Sequence, residues 1–191
     1  MGEIKIPYGE KRLSLKIPDH NLAIVFDPPF APPIRDLSGE ILRALEEPVA
    51  GIPFSQQIGR GKNVLLLIDN FARLTPAQRI LLPVLKKLKK VGAKIEILVA
   101  SGALREMNEA ELKRKLGDQI LKSGLPIYQS RCKDSWDFEF IGVTTLGTPV
   151  NVHRKLLQAD FSLAVTMTQA TLWGYGGGGA MILPGVCSYE T

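Results

Sequence analysis

Val64-Leu-Leu-Leu-Ile68, running on into Asp69-Asn-Phe-Ala-Arg-Leu-Thr-Pro76, decides how the rest of the chain is read. Five apolar residues without alternation fit a strand covered on both faces, the habit of parallel sheets. A polar segment follows, and it carries one arginine, Arg73. Thr75-Pro76 then opens a helix, with Thr75 as cap and Pro76 in the first turn. Leu81, Leu85, Leu88 and Val91 share a face of that helix, and Gly92 ends it. Pro83 lies inside and is expected to kink it.

The strand–loop–helix unit repeats outward from there. Lys94–Ala100 reads as a second strand. Asn108 with Glu111 forms a capping-box start for a helix through about Leu116, and Asp118–Lys122 reads as a further helical turn. Pro126–Gln129 and Phe138–Val143 are strand candidates, His153–Gln158 reads as helical, and Phe161–Val165 is a last buried strand. Toward the N-terminus, Ser38–Glu47 reads as a helix and Phe54–Ile58 as a short one. Leu22–Phe26 is an apolar run ahead of the proline-rich connection Asp27–Pro33. Two short alternating runs, Glu3–Tyr8 and Arg12–Ile17, flank Gly9 as a hairpin. Strands alternating with helices predict an α/β fold: a mainly parallel, Rossmann-like sheet with flanking helices. Residues 1–191 are expected to form this one domain, with residues 1–30 as a β-hairpin extension.

The totals narrow the function. The chain has 191 residues, 45% of them hydrophobic and 23% charged, values of an ordinary globular protein. No apolar run reaches the length of a membrane span, and no signal-peptide pattern opens the chain. Cys132 and Cys187 are too far apart for a metal motif. A cytoplasmic protein with free thiols is expected. The net charge is +5. Lys86, Lys87, Lys89 and Lys90 supply part of it, without interleaved aromatics or an arginine stripe. They read as a solvated helix end opposing the helix dipole, not as a nucleic-acid surface. A small anionic ligand is the expected partner; nucleic acid and membrane are not.

In open parallel sheets, ligands bind beyond the carboxyl ends of the strands. That rule selects Asn70, Phe71, Ala72 and Arg73 after one strand, Ser101, Gly102 and Arg105 after the next, and the segment following Val165. Guanidinium groups grip carboxylate or phosphate bidentately. Taken singly, Arg73 and Arg105 read as surface or ion-paired arginines; Asn70 and Ser101 read equally well as turn residues. The third segment contains Gly174 and the run Gly176, Gly177, Gly178 and Gly179. Glycine loses the most backbone freedom on folding. The run is therefore understood where backbone N–H groups must approach an anion closely. A flexible linker is the alternative, but Trp173, Tyr175, Met181, Ile182 and Leu183 beside the run argue against it. His20 and His153 have no catalytic partner at a useful spacing, and no phosphate-loop or metalloprotease motif occurs.

Several pieces together resemble the N-terminal domain of the nickel-pincer-nucleotide-dependent lactate racemase family. They are Gly61-Lys62, Asp69–Pro76, Leu98-Val-Ala-Ser-Gly102, Ala159-Asp160, and Gly174-Tyr-Gly-Gly-Gly178 running into Leu183-Pro-Gly-Val-Cys-Ser-Tyr189, with Pro83 inside its helix. The resemblance implies an α/β domain that holds a nickel-bearing pyridinium nucleotide, with a second domain downstream. The family's enzymes are isomerases, racemases and epimerases of 2-hydroxy acids. By the same resemblance, Arg73 matches the arginine that grips the substrate carboxylate, and Asn70, Phe71 and Ala72 fall in the segment approaching the cofactor. Leu104 and Ala170 stand where the family has its two catalytic histidines. Ala180 stands where a lysine is joined to the cofactor, and Gly179 replaces the arginine before it. The expectation is a racemase-like fold that binds an anionic or nucleotide ligand without efficient racemisation. The alternatives are an enzyme of 2-hydroxy or sugar acids using an untethered cofactor, and a non-catalytic interaction or scaffold domain.

Overall fold

The computed structural model describes residues 2–9, 11–26, 31–171 and 174–191. Part of the proline-rich connection (27–30), and Leu172 and Trp173 beside the glycine run, lie outside the described residues. Two compact units form, residues 1–35 and 36–191. In the first, β1 (Gly2–Tyr8) and β2 (Lys11–Ile17) pair antiparallel, with Ile4 opposite Leu15 and Ile6 opposite Leu13. No residue of either strand is fully buried. The predicted hairpin is therefore present. The apolar run 22–26, by contrast, has no regular structure.

The second unit begins with α1 (Leu37–Glu46), where the Asp36 side chain accepts from the Gly39 N–H at 2.9 Å. It continues through α2 (Phe54–Gln57), β3 (Asn63–Asp69), α3 (Ala77–Val91), β4 (Lys94–Ala100), α4 (Glu109–Leu121) and β5 (Ile127–Gln129). Next come β6 (Phe138–Val143), β7 (Pro149–His153), α5 (Arg154–Gln158), β8 (Phe161–Val165), β9 (Gln169–Thr171) and β10 (Gly174–Gly176). A 3-10 turn, Gly178–Met181, follows.

β5, β4, β3 and β8 form one sheet in that order, every pairing parallel. Leu66 stands opposite Ile97 on one side and Leu163 on the other. One face (Leu66, Ile68, Ile97, Val99) packs with Leu81, Val84 and Leu88 of α3 and Leu116 and Ile120 of α4. The other face (Leu65, Leu67, Leu98, Ala100) packs with Met181 and Val186, beside Leu156 of α5. The continuous apolar run in β3 thus feeds both layers. Each fully buried leucine or isoleucine contributes about 1.5–3 kcal/mol relative to exposure.

Two local expectations need correction. Thr75 does not cap α3: the helix starts at Ala77 behind Pro76, with no side-chain cap, and the Thr75 hydroxyl serves Asp69 instead. A buried carboxylate needs donors more than a solvated helix end does. The helix read to about Leu116 and the helical turn read at Asp118–Lys122 are both present as the two pieces of α4, separated at Gly117, whose φ of 73° and ψ of 160° are not helical. β7 was not expected. It pairs with β6, Phe138 opposite His153, and the helix read from His153 starts one residue later.

Candidate functional site

β3, β4, β5 and β8 run parallel, so their carboxyl ends share one edge of the sheet. The segment after β3 closes a turn in which the Arg73 N–H donates to the Asn70 carbonyl at 3.3 Å. The Asn70 side chain is committed to this edge: Oδ1 accepts from the Ala72 N–H at 3.0 Å, and Nδ2 donates to the Ser101 carbonyl at 3.3 Å. That amide ties the exit of β3 to the exit of β4. Asn70 is therefore a structural hinge-pin of the site, with one amide N–H and one oxygen lone pair committed to the fold.

Beneath the turn sits a polar group that sequence pattern did not disclose. Asp69 is buried, and its Oδ1 forms an ion pair with buried Lys115 from α4. Its Oδ2 accepts from the Thr75 hydroxyl and, at 2.9 Å, from the Thr166 hydroxyl. Thr75 Oγ1 in turn accepts from the Met167 N–H at 2.9 Å. The exits of β3 and β8 are thereby joined through one carboxylate.

Arg73 has no carboxylate within ion-pair distance among the described residues, and its Nη1 is buried with no hydrogen-bond partner. Ser101 Oγ, 3% exposed as a residue, is equally without partner. Buried donors of this kind are uncommon, since the great majority of buried polar atoms have a partner.

Arg105 is placed differently. It makes two 2.7 Å hydrogen bonds to Glu111 and lies 4.3 Å from the centre of the Phe71 ring. Glu111 also accepts from the Asn108 N–H, and the guanidinium beside it holds its carboxyl down at about 2. Arg105 and Phe71 thus clamp the two loops to each other, and the fork of Arg105 is occupied.

The glycine segment adjoins this edge. Gly176 pairs with Gln169 across β9–β10, and Gly177 lies against the backbone of Met167. A Cβ on Gly177 would sit 2.7 Å from the Met167 carbonyl oxygen, and its φ is 113°, so no side chain fits. Beside Gly178 and Gly179 a Cβ would meet nothing within 4 Å, which leaves this stretch of backbone open. Beyond Ala180 the chain returns to the β4 exit, where the Gly102 N–H donates to the Gly185 carbonyl at 3.0 Å and Pro184 packs on Gly102. Unbroken contacts therefore lead from Arg73 through Lys115, Asp69, Thr75 and Met167 to Gly177.

Three clefts, of about 760, 570 and 380 Å³, lie away from these residues. The largest runs between α1, α3 and α4, bordered by Lys86, Lys89 and Lys90. The 570 Å³ cleft includes His153, whose Nδ1 accepts from the Lys155 N–H at 3.2 Å and whose pKa burial pushes down. Among the described residues, no group of three or more His, Cys, Asp and Glu is arranged to hold a metal ion. No helix among them is long and apolar enough to cross a membrane.

A parallel α/β layer, with an unpartnered guanidinium nitrogen and a glycine-walled backbone at its strand ends, defines an open-sheet α/β domain. The chain belongs to the lactate racemase N-terminal domain family, whose pattern matches residues 8–191. It is 29% identical over its whole length to the lactate racemase of Thermoanaerobacterium thermosaccharolyticum and 27% identical to that of Lactiplantibacillus plantarum. In each case the chain covers 46% of the relative, so it spans about half the length of these proteins. The solved apoprotein of the former racemase superposes with a TM-score of 0.80 at 25% identity, covering 98% of this chain and 44% of that one. A Thermotoga maritima crystal structure matches at a TM-score of 0.66 and 19% identity, covering 80% of this chain and 39% of that one, and bears on the fold alone.

Proposed function

We propose that this chain is a racemase-family domain that binds a phosphate- or carboxylate-bearing ligand at the strand ends but does not itself interconvert 2-hydroxy acids. One observation carries the reading: Arg73 Nη1 is buried and unpartnered beyond β3. An arginine fork in that state is suited to an oxyanion, and the open backbone at Gly178 and Gly179 admits one.

The residues present fit the anionic end of a nucleotide cofactor such as the family's nickel-pincer group. They do not fit its covalent attachment. Ala180, in the position of the tethering lysine, has no amine, and the segment from Gly174 to Gly185 contains no lysine at all. Leu104 and Ala170, in the positions of the catalytic histidines, have no titratable atom. One general acid or base typically contributes about 10²–10⁴-fold, so proton transfer by the family route is slower here by at least about 10²-fold.

Calorimetric titration with inorganic phosphate and with a pyridinium mononucleotide tests the binding. The expected result is saturable binding that weakens at least about tenfold in Arg73→Ala, the loss of one charge-assisted hydrogen bond. No heat at millimolar ligand overturns the binding reading. Lactate racemisation by protein purified from a host that makes the pincer nucleotide overturns the claim of no turnover.

A further inference from the structure

We infer that Lys115 is the positioning residue of the Arg73 turn: its buried ammonium sets the backbone from which the anion-gripping guanidinium projects. The inference rests on the anion-site reading above and deepens it. No motif marks Lys115, which stands in the cationic stretch Lys113-Arg-Lys115 of α4.

Three observations carry it. First, Lys115 is only 8% exposed, and a lysine is almost never buried unless its charge is paired. Second, its ammonium has three anionic or carbonyl neighbours: it is ion-paired with Asp69 Oδ1 and donates to the Asn70 carbonyl at 3.2 Å and to the Arg73 carbonyl at 2.9 Å. Those two carbonyls are the first and last of the turn that presents Arg73, so a single ammonium spans it end to end. Third, the Lys115 position is itself held. Two residues on, Gly117 bends α4 at φ 73°, where a Cβ would lie 2.2 Å from the Gln78 side chain of α3. The bend lets α4 pack against α3 while Lys115 reaches beneath the β3 exit.

Asp69 alone would hold a cation but would not fix the turn, because its other oxygen is spent on Thr75 and Thr166. The carbonyl contacts are what convert a neutralised pair into a template. Neutralising both charges separates the two roles. In Asp69→Asn/Lys115→Met no buried charge is left unpaired, so the global cost is modest, yet the grip on the Asn70 and Arg73 carbonyls is gone.

The test is amide hydrogen exchange across residues 70–75 together with phosphate titration, on the whole chain, in the double variant. The expected outcome is at least about tenfold faster exchange at Arg73 and its neighbours, unchanged protection in β3 and β4, and at least about tenfold weaker phosphate binding. Unchanged exchange in the turn overturns the inference. So does faster exchange with phosphate affinity equal to that of the parent. Should the parent bind no phosphate, the anion-site reading fails, and the turn's exchange alone still decides whether Lys115 fixes it. Should that double variant not fold, Asp69→Asn/Lys115→Gln carries the same measurement: it also leaves no buried charge unpaired, and the shorter amide at 115 cannot reach all three acceptors.

Discussion

The two ends of the parallel sheet are built on opposite terms. At the amino ends, backbone and side chain satisfy one another. The Asn63 N–H donates to Asp160 Oδ2 at 2.7 Å while the Asp160 N–H donates to the Asn63 carbonyl at 2.9 Å. Lys155 pairs with Glu96 at 2.9 Å and lies 4.5 Å from the centre of the Tyr128 ring. At the carboxyl ends, Arg73 Nη1 and Ser101 Oγ are buried without partners, and so is Ser130 Oγ just past β5. The same strands thus finish closed at one edge and with spare donors at the other. Satisfied pairs mark the first edge and unpartnered donors the second. Among the satisfied groups at the carboxyl edge, the buried Asp69–Lys115 pair stands beneath the Arg73 turn and supplies rigidity that unsatisfied groups cannot.

That pair gives the largest expected effect. Lys115→Met alone leaves Asp69 buried and uncompensated, at a cost of about 3–5 kcal/mol in unfolding free energy. Urea unfolding of parent and variant measures it. A loss below about 1 kcal/mol would mean the pair is incidental and the carboxyl edge has no rigid foundation. The amino edge is expected to answer more quietly. Asp160 is exposed, and Asp160→Ala forfeits one charge-assisted bond to the Asn63 N–H, about 1–2 kcal/mol. Phosphate affinity is expected to stay at the parent value. A fall in affinity would show that the two edges are coupled and the contrast between them is false.

How far sequence discloses this division follows from how each feature is encoded. The strand at Val64–Ile68 is legible because it is covered on both faces and apolar throughout, and those at Lys94–Ala100 and Phe161–Val165 because they are mostly apolar, although Lys94, Glu96 and Ser162 interrupt them and β8, at the sheet edge, is only partly buried. The capping box at Asn108 and Glu111 forms as expected because both partners lie within one helical turn. Arg73 is legible too, as a cation placed just beyond a buried strand. The foundation beneath it is not. Asp69 reads as the first loop residue, and Lys115 is one cation among several. Their pairing spans 46 positions and exists only once α4 is packed on the sheet. Arg105, selected by its place at the strand ends and read singly as an ion-paired arginine, is bonded to Glu111, an acid six residues on that its cap fixes within reach of that guanidinium. β7 is not legible in the sequence because five residues opening with Pro149 carry little strand signal, and its pairing is supplied by β6.

The smallest effect on stability is expected at Ser101, and it tests the contrast most directly. Ser101 Oγ is buried and makes no hydrogen bond, so Ser101→Ala removes no intramolecular partner and relieves the burial of a lone hydroxyl. Deleting an unsatisfied polar group is nearly neutral or slightly stabilising, within about 0.5 kcal/mol, unlike deletion of a paired one. If the carboxyl edge keeps its spare donors for a ligand, the same substitution weakens phosphate binding about three- to tenfold, one neutral hydrogen bond's worth. Calorimetric titration and urea unfolding of one variant read both quantities. Lost stability with unchanged affinity would place Ser101 with Asp160 as a structural residue, and the edge would then owe its ligand to Arg73 alone.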